Sequence, residues 1–162
     1  MKKFLAIVLC IVSILAFMTA CGNTQNNSSN SNSSNDGGIT APASDVEMQY
    51  MSVEDAANVL GTDGYLFLDV RKAADYDTSH IPGAVSADMD AAKNGDFDAG
   101  VATMEEATDG VDDTLIVICY TGKSYAQATT NVLSALGYDM SKVYTLEGGF
   151  TAWTEAYPDN VE

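Results

Sequence analysis

The stretch Thr114-Leu115-Ile116-Val117-Ile118-Cys119-Tyr120-Thr121-Gly122-Lys123-Ser124 decides the fold. Its first six residues form a continuous apolar run rich in β-branched side chains, which reads as a buried strand. From Ser124 to Leu136 the pattern changes. Ala126, Thr129, Val132, Leu133 and Leu136 recur at helical spacing and Gly137 follows, which predicts a helix with a glycine at its end. Outward from this unit, Tyr65-Leu66-Phe67-Leu68-Asp69-Val70 is a second apolar run bounded by turn residues, and Val143–Leu146 a third. Val46–Met51 reads as a short first strand. Ser52 then precedes Glu54 and Asp55, acids suited to a first helical turn, with Ala56, Val59 and Leu60 as the apolar face and Gly61 as the stop. Gly148-Gly149 turns the chain into a short last helix holding Phe150 and Trp153. The segment 88–111, rich in Asp, Ala and Gly, reads as a loose helix around Val101–Ala107 between acidic loops. Strands apolar on both faces and separated by helices predict an α/β fold, a parallel sheet covered on both sides.

In open α/β sheets, ligands bind at the carboxyl ends of strands. Cys119 sits at such an end, before a glycine-containing loop and a helix. That geometry aims backbone N–H groups and the positive end of a helix dipole at one point, which stabilises a thiolate, the nucleophilic form. Gly122 lets the loop curl, and Lys123 adds a positive charge. A free Cys is also commonly an inert core residue, but this one lies at the strand end rather than within it. The loop limits the chemistry further. Phosphatases with a catalytic Cys use Cys, five residues, then Arg, which holds phosphate as a bidentate fork. The sixth residue after Cys119 is Tyr125, and the sole arginine is Arg71. A tight loop of backbone donors suits a smaller anion, such as a persulfide sulfur.

With these residues in place, the domain resembles the rhodanese-like sulfurtransferases over nearly its whole length. Leu68-Asp69-Val70-Arg71 is similar to the family's first motif. Asp75-Tyr76 with His80-Ile81-Pro82-Gly83-Ala84 resembles the second, with Ser79 where Gly is usual. Cys119 to Ser124 resembles the six-residue active loop, and Leu146-Glu147-Gly148-Gly149-Phe150-Thr151-Ala152-Trp153 the closing motif. The resemblance implies a rhodanese-like fold of about five parallel strands with helices on both faces. It implies a ping-pong mechanism in which Cys119 takes a sulfane sulfur from a donor such as thiosulfate and passes it to cyanide or a thiol. Tyr120, Thr121, Gly122, Lys123 and Ser124 are then the substrate-binding loop, and no metal or organic cofactor is implied. At loop positions two and five, thiosulfate-using members often carry Arg or Lys; here they are Tyr120 and Lys123, so the donor stays open. Arg71 either binds substrate or pairs with Asp75 or another acid to fix the following loop. Asp69 is expected to accept backbone N–H bonds, His80 to be structural, and Phe150 and Trp153 to be core. With a single His and no further free thiol, a His/Cys metal site is not expected. The acids of 88–98 and 109–113 match no EF-hand loop.

The ends of the chain alter its composition. The 162 residues carry a formal charge of -16, and 46% are apolar. Lys2 and Lys3 precede Phe4–Met18, fifteen residues in which Ser13 alone is polar, which reads as a signal-peptide h-region. Met18-Thr19-Ala20-Cys21 resembles a bacterial lipobox, which implies cleavage before Cys21 and its lipidation. Residues 1–20 are thus expected to be a lipoprotein signal peptide. Residues 21–45, rich in Asn and Ser, are expected to be a disordered tether, and residues 46–162 the rhodanese-like domain. The expected location is the extracytoplasmic face of a cell membrane, held by an N-terminal lipid. From Cys21 onward the chain keeps all 23 acids and five bases, a charge of -18. That excludes nucleic acid as a partner, since phosphate binding needs clustered Lys and Arg. Small sulfur-containing anions or thiols are the expected partners. Three cysteines are too few for a disulfide scaffold: Cys10 leaves with the signal, Cys21 takes lipid, and Cys119 is the reactive thiol. Two functions remain at this stage, an anchored sulfurtransferase and a non-catalytic module that binds a partner or senses persulfide.

Overall fold

The computed structural model describes residues 38–162. Cys10, Cys21, the expected signal peptide and most of the expected tether lie outside the described residues. Twelve elements follow in order: β1 (Gln49–Met51), α1 (Val53–Val59), β2 (Tyr65–Asp69), α2 (Ala73–Thr78), β3 (Val85–Ser86), α3 (Asp90–Lys93), α4 (Phe97–Ala107), β4 (Thr114–Ile118), α5 (Ser124–Ala135), a 3-10 turn (Met140–Lys142), β5 (Val143–Leu146) and α6 (Gly149–Ala156). The strands form one five-stranded parallel sheet in the order β1-β5-β4-β2-β3. β4 lies at its centre, as expected of the most apolar run.

The alternation of side chains along β4 divides the core into two layers. Leu115, Val117 and Cys119 face one way, with Leu68 and Val70 of the β2 segment, and are covered by Met104 of α4 and Ala126, Val132 and Leu133 of α5. Ile116 and Ile118 face the other way with Phe67, against Ala56 of α1, Leu146 of β5 and Trp153 of α6. Both faces are therefore covered by helices, which accounts for strands that read apolar throughout. Trp153 is wholly buried, meets Phe67 edge-on at 6.4 Å between ring centroids, and donates its indole N–H to Asn160 O at 2.9 Å. Trp153→Ala removes the largest side chain of that layer. It should lower unfolding free energy by about 3–5 kcal/mol, read as a drop in the urea midpoint. A midpoint equal to the parent's would contradict this packing.

Ser52 caps α1 in the expected way: its Oγ accepts the Asp55 N–H at 3.1 Å and donates to Asp55 Oδ2 at 2.7 Å. Two expectations change. The first strand begins at Gln49, not Val46, because Val46 is bonded to side chains of α5 instead of to β5. Its N–H donates to Asn131 Oδ1 at 2.9 Å, its C=O accepts from Gln127 Nε2 at 2.8 Å, and Asn131 Nδ2 donates to Asp45 Oδ1 at 2.9 Å. The loose helix expected near 101–107 is instead two helices, α3 and the longer α4. Asp96 caps α4, accepting the Ala99 N–H at 3.1 Å. Gly100, which weakens the helical pattern in the sequence, is where α3 and α4 touch: an added Cβ would stand 2.6 Å from Ala92 Cβ. Among the described residues, no helix is long and apolar enough to cross a membrane.

Candidate active site

Cys119 is the first residue after β4 and is 2% exposed. The loop it opens is held from behind by the start of α6. The Phe150 N–H donates to Cys119 O at 2.7 Å, and Thr151 donates to Tyr120 O through both its N–H, at 3.1 Å, and its Oγ1, at 2.9 Å. Lys123 O accepts from Gln127 N at 2.8 Å as α5 begins. Among the described residues, no backbone or side-chain acceptor takes the N–H groups of residues 120–124. The loop thus has three of its carbonyls satisfied and a row of free donors, the combination that binds anions at helix N-termini and backbone nests.

Two glycines allow this approach. A Cβ on Gly122 would come within 2.9 Å of Leu146 O. Gly149 has φ +62°, and a Cβ there would lie 2.4 Å from Cys119 O and 2.7 Å from Thr121 N. The Gly148-Gly149 pair reads in the sequence as a turn into the last helix; in the fold it is also the seat of the loop. Only its place after β5, the strand beside β4, could have signalled that.

The six loop residues are contiguous and lie together. Tyr120 is half-buried, Thr121, Lys123 and Ser124 are exposed, and Gly122 is buried. Arg71 adopts the second of its two expected arrangements, with Asp69 rather than Asp75 as its partner. Its Nε lies 2.9 and 3.1 Å from the two Asp69 oxygens, and its Nη2 lies 2.7 Å from Asp69 Oδ2 and 2.7 Å from Ser79 O. Asp69 Oδ1 also accepts the Arg71 backbone N–H at 3.1 Å, as expected of that carboxylate. At 3% exposure, with Phe150 3.7 Å from its guanidinium carbon, Arg71 is a strut beside the loop. His80 stacks on Tyr76 at 3.9 Å between ring centroids and exchanges backbone hydrogen bonds with Glu162. Phe150 is half-buried and serves both this strut and the core.

Sequence reasoning missed the rim of the loop. The Tyr120 hydroxyl donates to Asp75 Oδ2 and accepts the Lys72 N–H at 3.3 Å. The Tyr125 hydroxyl donates to Asp90 Oδ1, and the two tyrosine rings meet edge-on at 5.2 Å. Burial pushes the Tyr120 phenol above its ordinary range, and the Asp75 carboxylate adds to this. Tyr125 is pushed up more strongly, first by burial and then by Asp90. Conversely, the Tyr125 hydroxyl holds the Asp90 carboxyl below its usual range. Both hydroxyls therefore remain protonated donors at neutral pH. Each bond ties together residues 35 or more positions apart, which no local spacing reveals.

The site is therefore a thiol at the carboxyl end of the central parallel strand of an α/β fold, on a tight loop of free amide donors. The chain belongs to the rhodanese-like family: the family's rhodanese-like domain matches residues 52–156. It is similar to the thiosulfate sulfurtransferase GlpE of Pseudoalteromonas translucida, 29% identical over 72% of this chain and 99% of that protein. It is also similar to GlpE of Pseudomonas savastanoi pv. phaseolicola, 32% identical over 64% and 85%. Among solved structures, the BH2092 protein of Bacillus halodurans superposes with a TM-score of 0.56 at 24% identity, over 70% of this chain and 76% of that one. The rhodanese-like domain of the Anabaena Alr3790 protein gives 0.53 at 20% identity, over 72% and 80%.

Proposed function

We propose that the protein is a rhodanese-type sulfurtransferase, held by an N-terminal lipid on Cys21 at the outer face of a cell membrane. The observation that carries the catalytic part is the free amide row on the loop opened by Cys119. The sulfurtransferase names of the similar proteins support the same reading. The Cys119 thiolate attacks the outer sulfur of a donor such as thiosulfate, the S–S bond breaks, and sulfite leaves with the electron pair. The persulfide anion rests against the N–H groups of residues 120–124. A thiol or cyanide then attacks its terminal sulfur and frees Cys119. Thr121, Gly122, Lys123 and Ser124 hold the anion, with Lys123 the one cation of the loop. Arg71 fixes the loop through Asp69 and Phe150.

The test is intact-mass spectrometry of the protein after exposure to thiosulfate, coupled to thiocyanate formation from cyanide. A gain of one sulfur that cyanide discharges supports the enzyme. If no donor adds sulfur, a non-catalytic binding or sensing module is the better reading. The anchor is tested apart from catalysis: Cys21→Ala should move the protein from the membrane to the soluble fraction, and retention on the membrane refutes it.

Charge gives a further expectation. From Cys21 onward a formal charge of -18 repels a dianion at long range. Thiosulfate turnover should therefore rise with salt as the screening length falls from about 30 Å at 0.01 M to about 8 Å at 0.15 M. A flat or falling profile would show that Lys123 and the loop amides already dominate.

A further inference from the structure

We propose that the Tyr120–Asp75 pair selects the class of sulfur donor, favouring an organic persulfide of at most one negative charge over a dianion such as thiosulfate. This rests on the sulfurtransferase reading and deepens it. The charge fixed to the second loop residue is negative: the Tyr120 hydroxyl holds the Asp75 carboxylate one tyrosine side chain from the loop backbone. Asp75 forms no ion pair among the described residues. Asp88 and Asp90 stand on the same side, Asp88 accepting the Ala73 N–H at 3.0 Å and Asp90 bonded to Tyr125.

The cations do not reverse this balance. Arg71 is locked on Asp69, and Lys72 lies 3.5 Å from Asp90. Lys93 lies 5.7 Å from the Tyr125 ring centroid. Lys123, exposed and in no ion pair among the described residues, is one cation facing a donor of two charges. A donor R–S–S–H brings less charge to be repelled, and its organic group has the half-buried Tyr120 ring to pack on. The transfer balances without a further reagent. The Cys119 thiolate attacks the terminal sulfur, the R–S–S bond breaks, and R–S⁻ leaves with the electron pair. The protein keeps the sulfur and its proton as Cys119–S–S–H.

The test measures second-order sulfur loading of Cys119 by intact mass, with thiosulfate and with 2-hydroxyethyl persulfide, and follows the ratio of the two rates. Asp75→Asn removes the charge and should raise the thiosulfate-to-persulfide ratio by about fivefold at low salt, the size of one screened charge at close range. Tyr120→Phe keeps the ring but bares the carboxylate, and should lower the same ratio about twofold, the loss of one exposed hydrogen bond's partial neutralisation. Opposite shifts in the two variants support the proposal, since simple loosening of the rim would move both alike. A ratio that moves in neither variant, or in the same direction in both, overturns it. Failure of both donors to load the unsubstituted protein overturns the sulfurtransferase reading and this assignment with it.

Discussion

Cys119→Ala should abolish sulfur uptake, with thiocyanate formation falling by roughly a thousandfold or more, because the loop then holds no sulfur on which the covalent intermediate can form. It is the one free cysteine among the described residues, so no neighbouring thiol replaces it. The fold should survive. The side chain packs with Val117, Tyr125 and Ala126 at the end of the core layer, and losing one sulfur atom there costs about 1 kcal/mol. A folded, inactive variant that stays at its unmodified mass in donor is the expected result. Persistent turnover, or a sulfur gain of the same size, would move the chemistry away from Cys119.

Gly149→Ala has the second largest expected effect, although the added group is a single methyl. The new Cβ would sit 2.4 Å from Cys119 O, 2.7 Å from Thr121 N and 2.8 Å from Gly122 N. All three are backbone atoms, so no side-chain rotation relieves them. The residue is also held at φ +62°, which an L-residue adopts only at a cost of about 1–2 kcal/mol. Overpacking adds about 1–3 kcal/mol, and pushing α6 back weakens the Phe150 N–H bond to Cys119 O. The expected sum is a loss of about 2–5 kcal/mol. In the fraction that stays folded, sulfur loading should fall sharply, because the carbonyls of Cys119 and Tyr120 are no longer pinned. Gly83→Ala is the control. Gly83 has φ +74° but open space around its Cβ, so it should lose only the backbone part and keep its loading rate. Equal behaviour of the two variants would show that the contact of α6 with the loop is unimportant.

What the sequence disclosed follows from the range over which each signal acts. The central strand, the loop and α5 were legible because period, apolarity and a glycine operate within a dozen residues. Four motifs in order supplied the sheet and its covering helices. The short elements α2 and β3 were not read, since six and two residues carry no resolvable period. α4 was truncated because Gly100 interrupts its pattern for the sake of a close helix crossing. At the site, the thiol, its loop and the two arrangements open to Arg71 are legible in the sequence. The partner that closed that choice, Asp69, lies only two residues away, but strand geometry had to bring its carboxylate round. Asp75, Asp90 and Thr151 were invisible as site residues because each reaches the loop or its helix from a separate element.

The attachment of Asp45 and Val46 to Asn131 and Gln127 has a mechanical consequence. β1 is three residues long, lies at the sheet edge and pairs with β5 alone. A pull on the preceding chain, applied directly to such a strand, would unzip it one bond at a time. Here the load meets the side-chain clamp on α5 first, and α5 is rooted in the core through Ala126, Val132 and Leu133. The clamp works as strain relief does on a cable: tension arriving from the N-terminal side passes into the most deeply seated helix, and the edge strand carries none of it.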